Sequence, residues 1–212
     1  MNKEWSPYRV MKLLEIDMPN GEDRIDEVLN HFYKSEDCLD LKMSILSKNE
    51  IISRRALYIT SELGIKCCSC LSAILKNVNH PHEKARLFVL SSIFDCINYL
   101  NSSDICVLFS MFDDVSDLVK GSLISLLSKI DANLIFEGAK LFLAYNKLDL
   151  DAELLFTPAI VDEIIQMLNK SNRFILFLGY VFLLKFHLSG EDISSVLELC
   201  DVPKIVRELL FA

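Results

Sequence analysis

Glycine and proline are scarce, six Gly and five Pro among 212 residues. That is too few turn formers for a β-sandwich, barrel or propeller, whose short strands reverse direction repeatedly. A long apolar run is also missing. The longest, Phe174 to Leu184, is bounded by Arg173 and Lys185 and is about half of the roughly 20 residues a membrane-spanning helix needs. The opening Met1-Asn2-Lys3-Glu4-Trp5-Ser6-Pro7 is polar, with no signal-like apolar stretch behind it, so no membrane association and a cytoplasmic location are expected. Gly-x-Ser-x-Gly, Gly-x-Gly-x-x-Gly, His-Glu-x-x-His and Gly-rich phosphate loops are absent. The expectation is therefore a protein that is no enzyme and carries no cofactor.

What is present is helical. Apolar residues are 51% and charged residues 25% of the chain, and the mean hydropathy is positive, which excludes wholesale disorder. Ile25, Val28, Leu29 and Phe32 follow the i, i+3, i+4, i+7 pattern, as do Ile193, Val196, Leu197 and Cys200. A longer stripe links Val115, Leu118, Val119, Leu123, Leu126, Leu127 and Ile130. No segment keeps a strict alternation, so the fold class is all-α.

Breaks recur at Asn49-Glu50, at Asn79 to Glu83, at Asp113 to Asp117, at Asp149 to Glu153 and at Ser189 to Asp192. Softer breaks fall between them, at Gly64, at Asn101 to Asp104, at Asp131 to Asn133 and at Ser171 to Arg173. Each interval thus reads as two helices joined by a short turn. Ser53-Arg54-Arg55-Ala56-Leu57-Tyr58-Ile59 also matches Glu83-Lys84-Ala85-Arg86-Leu87-Phe88-Val89, 30 positions on. A helical hairpin cannot bury its apolar face alone, so stacked antiparallel hairpins sharing one core are expected. An irregular helical bundle is the other architecture such units permit. Thr157-Pro158 predicts a helix start at 158, and Asp201-Val202-Pro203 introduces a closing helix.

With Arg54-Arg55 and Lys84-x-Arg86 near the usual Arg positions, the pattern resembles the HEAT and armadillo class of α-solenoids. The resemblance implies a single right-handed superhelical domain. Residues 1–48 would be N-terminal cap helices, 49–189 four hairpins and 190–212 a C-terminal cap.

Seven Cys are present, most within apolar helical stretches, which suits a reducing compartment and small buried thiols. Cys67-Cys68-Ser69-Cys70 followed by His80 and His82 invites a zinc reading. If 65–78 is one helix, however, Cys70 and His80 lie about 15 Å apart at 1.5 Å per residue, so no metal site is expected. His80-Pro81-His82-Glu83 reads as a turn opening a helix.

Charge is unevenly spread. Residues 51–100 carry 6 basic and 3 acidic groups, whereas 101–170 carry 5 and 11. With a net charge of −8, general phosphate binding is disfavoured. Asp113 and Asp149 are 36 apart, as are Asp117 and Glu153. In a repeat of that length Asp113, Asp114, Asp117, Asp149, Asp151 and Glu153 line one rim, either as helix caps alone or as a surface facing a basic protein partner. Small, acidic and all-helical, the chain is also similar to bacterial immunity proteins of toxin–immunity pairs. That similarity implies an inhibitor that covers the basic face of a nuclease-type toxin. The alternatives are a general scaffold or adaptor, and a nucleic-acid-binding repeat using Arg54, Arg55, Lys84 and Arg86.

Overall fold

Short polar side chains at the predicted breaks open the helices. A computed structural model describes residues 5–15, 22–35, 37–147 and 161–211. The described residues form thirteen α-helices joined by turns and 3-10 segments, with no strand. Asn49 Oδ1 accepts the N–H groups of Ile51 and Ile52 at 3.0 and 3.4 Å. Asn101 and Asp104 form a reciprocal capping box, and Asp131 and Asn172 cap in the manner of Asn49. Each such cap contributes about 1 kcal/mol, because the first N–H groups of a helix have no partner within it. Gly64 and Gly190 sit at φ +58° and +86°, a region that glycine enters without a Cβ clash.

The helices divide into two compact units, Met1–Leu100 and Asn101–Ala212. The first contains α1 (Pro7–Glu15), α2 (Glu22–Lys34), α3 (Lys42–Ile45), α4 (Glu50–Glu62), α5 (Leu71–Ile74) and α6 (Glu83–Asp95). Helix α4 turns Ile52, Ala56, Leu57 and Ile59 inward and packs on α6. Tyr58 and Phe88, paired by the 30-residue offset, meet edge to face at 5.3 Å. Beside them Ser92 Oγ donates to Thr60 Oγ1 at 2.9 Å. Lys66 reaches back to α2, where its Nζ donates to the carbonyls of Tyr33 and Ser35 at 2.7 and 2.8 Å and of Phe32 at 3.4 Å. A cation is thereby set against the negative end of that helix.

The stretch after Gly64 differs from expectation. Instead of one α-helix over 65–78, Gly64–Cys70 is 3-10, α5 makes one α turn, and Leu75–Asn77 is 3-10 again. At three residues per turn, i and i+3 share a face, so Cys67 and Cys70 are both buried while Cys68 is half-buried. The expectation of small buried thiols suited to a reducing compartment does not hold for one pair: Cys68 and Cys96 are joined by a disulfide.

The second unit contains α7 (Ser102–Phe109), α8 (Asp117–Ser128), α9 (Ala132–Asn146), α10 (Val161–Leu168), α11 (Arg173–Leu188), α12 (Ser194–Leu199) and α13 (Lys204–Leu210). The predicted start at Pro158 lies outside the described residues. Helix α7 packs on α9, and α11 packs on α8, α10 and α13. As its composition requires, α11 is buried nearly all round, through Phe174, Phe177, Leu178 and Val181 to Leu184. Phe109, Phe112, Phe142, Phe174 and Phe177 interlock with ring centroids 4.8 to 6.4 Å apart. Lys185 repeats the device of Lys66: its Nζ donates to the carbonyls of Ser128, the last residue of α8, at 3.3 Å and of Ile130, just beyond it, at 2.7 Å. Burial holds its pKa below the ordinary lysine value. No helix among the described residues is long and apolar enough to cross a membrane.

Candidate functional site

Three of the six predicted carboxylates fall in the turn that leads into α8 and in the first turn of that helix. Asp114 Oδ1 accepts the N–H of Ser116 at 2.8 Å, the local bond that lets Asp shape a turn. Asp117 stands in the first turn of α8, where the helix dipole favours it, and receives Lys120 Nζ at 2.7 Å. Asp113 pairs with Arg173 at the start of α11. Asp149, Asp151 and Glu153 lie outside the described residues. The further acids near the C-terminus, Glu191 and Asp192, are exposed. Hydrogen bonding from the side chain and N–H of Ser194 holds the Asp192 carboxyl below its ordinary pKa.

Between these carboxylates the structure departs from the predicted stripe. Val115 is 95% exposed and Leu118 60%, although their spacing assigns both to the core. Leu118 lies within α8 on its outward side; for Val115 the reason is the cap. Ser116 is extended at φ −92°, ψ 123° and its Oγ accepts the Val119 N–H, so Val115 precedes the helix and does not share its phase. The buried stripe begins one step later, with Val119, Leu123, Ile124, Leu126 and Leu127. An acidic turn therefore carries two exposed apolar side chains.

Next to this turn, α8, α11 and the start of α13 enclose an open cleft of about 330 Å³. Phe112, Ile124 and Phe177 contribute apolar surface, and two acids, Asp113 and Asp117, line it together with three cations, Lys120, Arg173 and Lys204. Tyr180 also lines it, with burial pushing its phenol above the ordinary pKa. The volume lies at the small end of ligand clefts, about 300–1,000 Å³. It suits one or two apolar side chains anchored by groups of either charge.

The proposed basic surface is in part internal. Arg55 Nη1 donates to the Leu14 carbonyl at 2.8 Å. Arg86 is buried and donates to the carbonyls of His80 and Pro81 at 2.8 and 3.1 Å. These guanidiniums fix the chain, which sequence spacing could not reveal. His80 and Ser53 are buried 2.9 Å apart, Nε2 to Oγ. The His82 N–H occupies His80 Nδ1 at 3.0 Å, which leaves the neutral ring's proton on Nε2, donated to Ser53. A ring in that tautomer holds the serine in place and cannot take its proton. Both nitrogens being engaged also removes His80 as a metal ligand. His82 caps α6, its Nδ1 accepting the Lys84 N–H at 3.2 Å.

No protein-family model matches the chain, and no curated protein matches it.

Proposed function

We propose that the chain is a non-catalytic protein-binding module that holds a basic partner on the turn 113–118 and the adjoining cleft. The observation that carries this reading is the exposure of Val115 and Leu118 among three carboxylates. An apolar centre with a charged rim is the arrangement of a protein contact, where the apolar part supplies affinity and the rim supplies orientation and encounter rate. The ion pairs of Asp113 and Asp117 do not oppose it. Both acids are well exposed, and pairs in that setting contribute about 0–1 kcal/mol, so an incoming guanidinium can replace them.

Stacked hairpins of the HEAT kind would present this turn on one edge of a right-handed stack in a cytoplasmic protein. The packing of α4 on α6 and of α7 on α9, each skipping one intervening segment, supports that arrangement. The narrowest form is an immunity-type inhibitor that occludes the basic active-site face of a nuclease-type toxin; a scaffold with several partners would use the same patch. The two are separated by affinity capture from source cells with wild type, a Val115→Asp/Leu118→Asp variant and an Asp113→Lys/Asp114→Lys/Asp117→Lys variant. One stoichiometric basic partner, lost with both variants while circular dichroism is unchanged, is the expected result. Equal recovery on all three refutes the assignment and leaves the carboxylates as helix caps.

A further inference from the structure

Sequence spacing sets the Cys67-Cys68-Ser69-Cys70 motif against the following histidines. The fold instead brings it a fourth cysteine, Cys96, from the end of α6. Because α6 packs along the 3-10 segment Gly64–Cys70, Cys96 meets both Cys67 and Cys68. Cys96 is bonded to Cys68, its Sγ lies 3.5 Å from that of Cys67, and the three sulfurs all fall within 4.8 Å of one another. No other three His, Cys, Asp or Glu ligand atoms converge in this way among the described residues. Cys67 and Cys96 are buried, and Cys68 is half-buried at the open side.

We propose that Cys67, Cys68 and Cys96 form a thiolate site for Zn²⁺ that reduction of the Cys68–Cys96 disulfide opens. The reductant is a dithiol. It transfers two electrons and two protons, becoming a disulfide itself and leaving Cys68 and Cys96 as thiols. Zn²⁺ then displaces one proton from each of three thiols, giving a tris-thiolate of charge −1 and three released protons. With Zn–S bonds of about 2.3 Å, sulfurs on a tetrahedral ion stand about 3.8 Å apart. The 3.5 Å between Cys67 and Cys96 is already near that spacing. Water takes the fourth position from the side where Cys68 meets solvent. Three sulfurs select a thiophilic ion over Mg²⁺ or Ca²⁺. A divalent ion also leaves less net charge in a half-buried site than Cu(I), whose tris-thiolate carries −2.

The test uses the full chain, reduced with dithiothreitol, freed of it under anaerobic conditions and titrated with Co²⁺ as the spectroscopic stand-in for zinc. One Co²⁺ per chain, seen as a thiolate-to-cobalt charge-transfer band that added Zn²⁺ abolishes, is expected. The disulfide form should show no band. Cys67→Ser, which leaves the disulfide pair intact, should weaken binding at least tenfold, and Cys106→Ser should leave it unchanged. If Cys67→Ser fails to fold, Cys68→Ser takes its place, since that side chain is half-buried, and the same tenfold loss is required. No band in the reduced wild type overturns the proposal. So does undiminished binding in the variant, or loss in a folded Cys38→Ser protein, which would move the ligands to the Cys38–Cys70 pair 3.3 Å apart.

Discussion

Replacing Gly138 with alanine tests how closely α7 and α9 cross. A Cβ built at Gly138 would stand 2.5 Å from Ile105 Cγ2, 2.6 Å from Ile105 Cβ and 3.2 Å from the Ser102 carbonyl oxygen. Ordinary contact begins near 3.4 Å, so Ile105 Cβ has to retreat by about 0.8 Å, from 2.6 Å. That atom is fixed to the α7 backbone and no rotamer change moves it away. The helix itself must shift, against the Phe109–Phe142 contact. Overpacking of this kind costs about 1–3 kcal/mol, whereas alanine gains about 1 kcal/mol over glycine within a helix. Overpacking outweighs that gain, and a net loss of about 1 kcal/mol, rising to about 2 if α7 cannot relax, is expected. Gly121→Ala is the control. Its Cβ would meet Ile205 Cγ1 and Cδ1 at 2.8 and 3.1 Å, the movable end of a side chain, so crowding and helix propensity should nearly cancel. Urea unfolding followed by circular dichroism reads both variants, since the single tryptophan, Trp5, reports only on the N-terminal unit. At a slope of about 1–3 kcal/mol per molar urea, the midpoint of Gly138→Ala should fall by about 0.3–2 M. A midpoint equal to or above wild type would refute the close crossing.

Two further perturbations address the N-terminal unit. Lys66→Met removes the cation that closes α2 and should cost about 1–2 kcal/mol by the same unfolding assay; no change in the midpoint would mean that water serves those carbonyls equally well. Burial holds the His80 pKa below the ordinary 6.5, so the unfolded chain gains a proton there before the folded one does. His80 therefore supports full stability above about pH 6.5, and stability falls as the pH drops from there through the lower folded pKa. His80→Asn retains an acceptor for the His82 N–H and removes the titration. Its stability should decline less steeply than wild type between pH 7 and 5, and equal slopes would exclude the buried neutral ring.

Local chemistry alone determined that the chain is all-α and where most helices begin. A cap is a bond between a residue and an N–H two or three positions on, which is why Asn49, His82, Asn101, Asp131 and Asn172 mark their helices in the sequence itself. The interior place of α11 was equally legible, because a helix without a polar face has nowhere else to go. Asp114 and Asp117 were recognisable as residues of a helix start for the same local reason. The phase of the α8 stripe was not. One extended residue at Ser116 turned Val115 out of the pattern and left it in solvent. Only tertiary packing set Arg55 and Arg86 against backbone carbonyls, Asp113 against Arg173, and Lys66 against the end of α2. Cys96 met Cys67 and Cys68 by the same route, since it is 28 residues from its disulfide partner, and spacing at that distance carries no angle. Choosing 3-10 over α after Gly64 turned Cys67 and Cys70 to one side. That choice depends on what each side chain finds across the interface, and periodicity within the segment does not contain it.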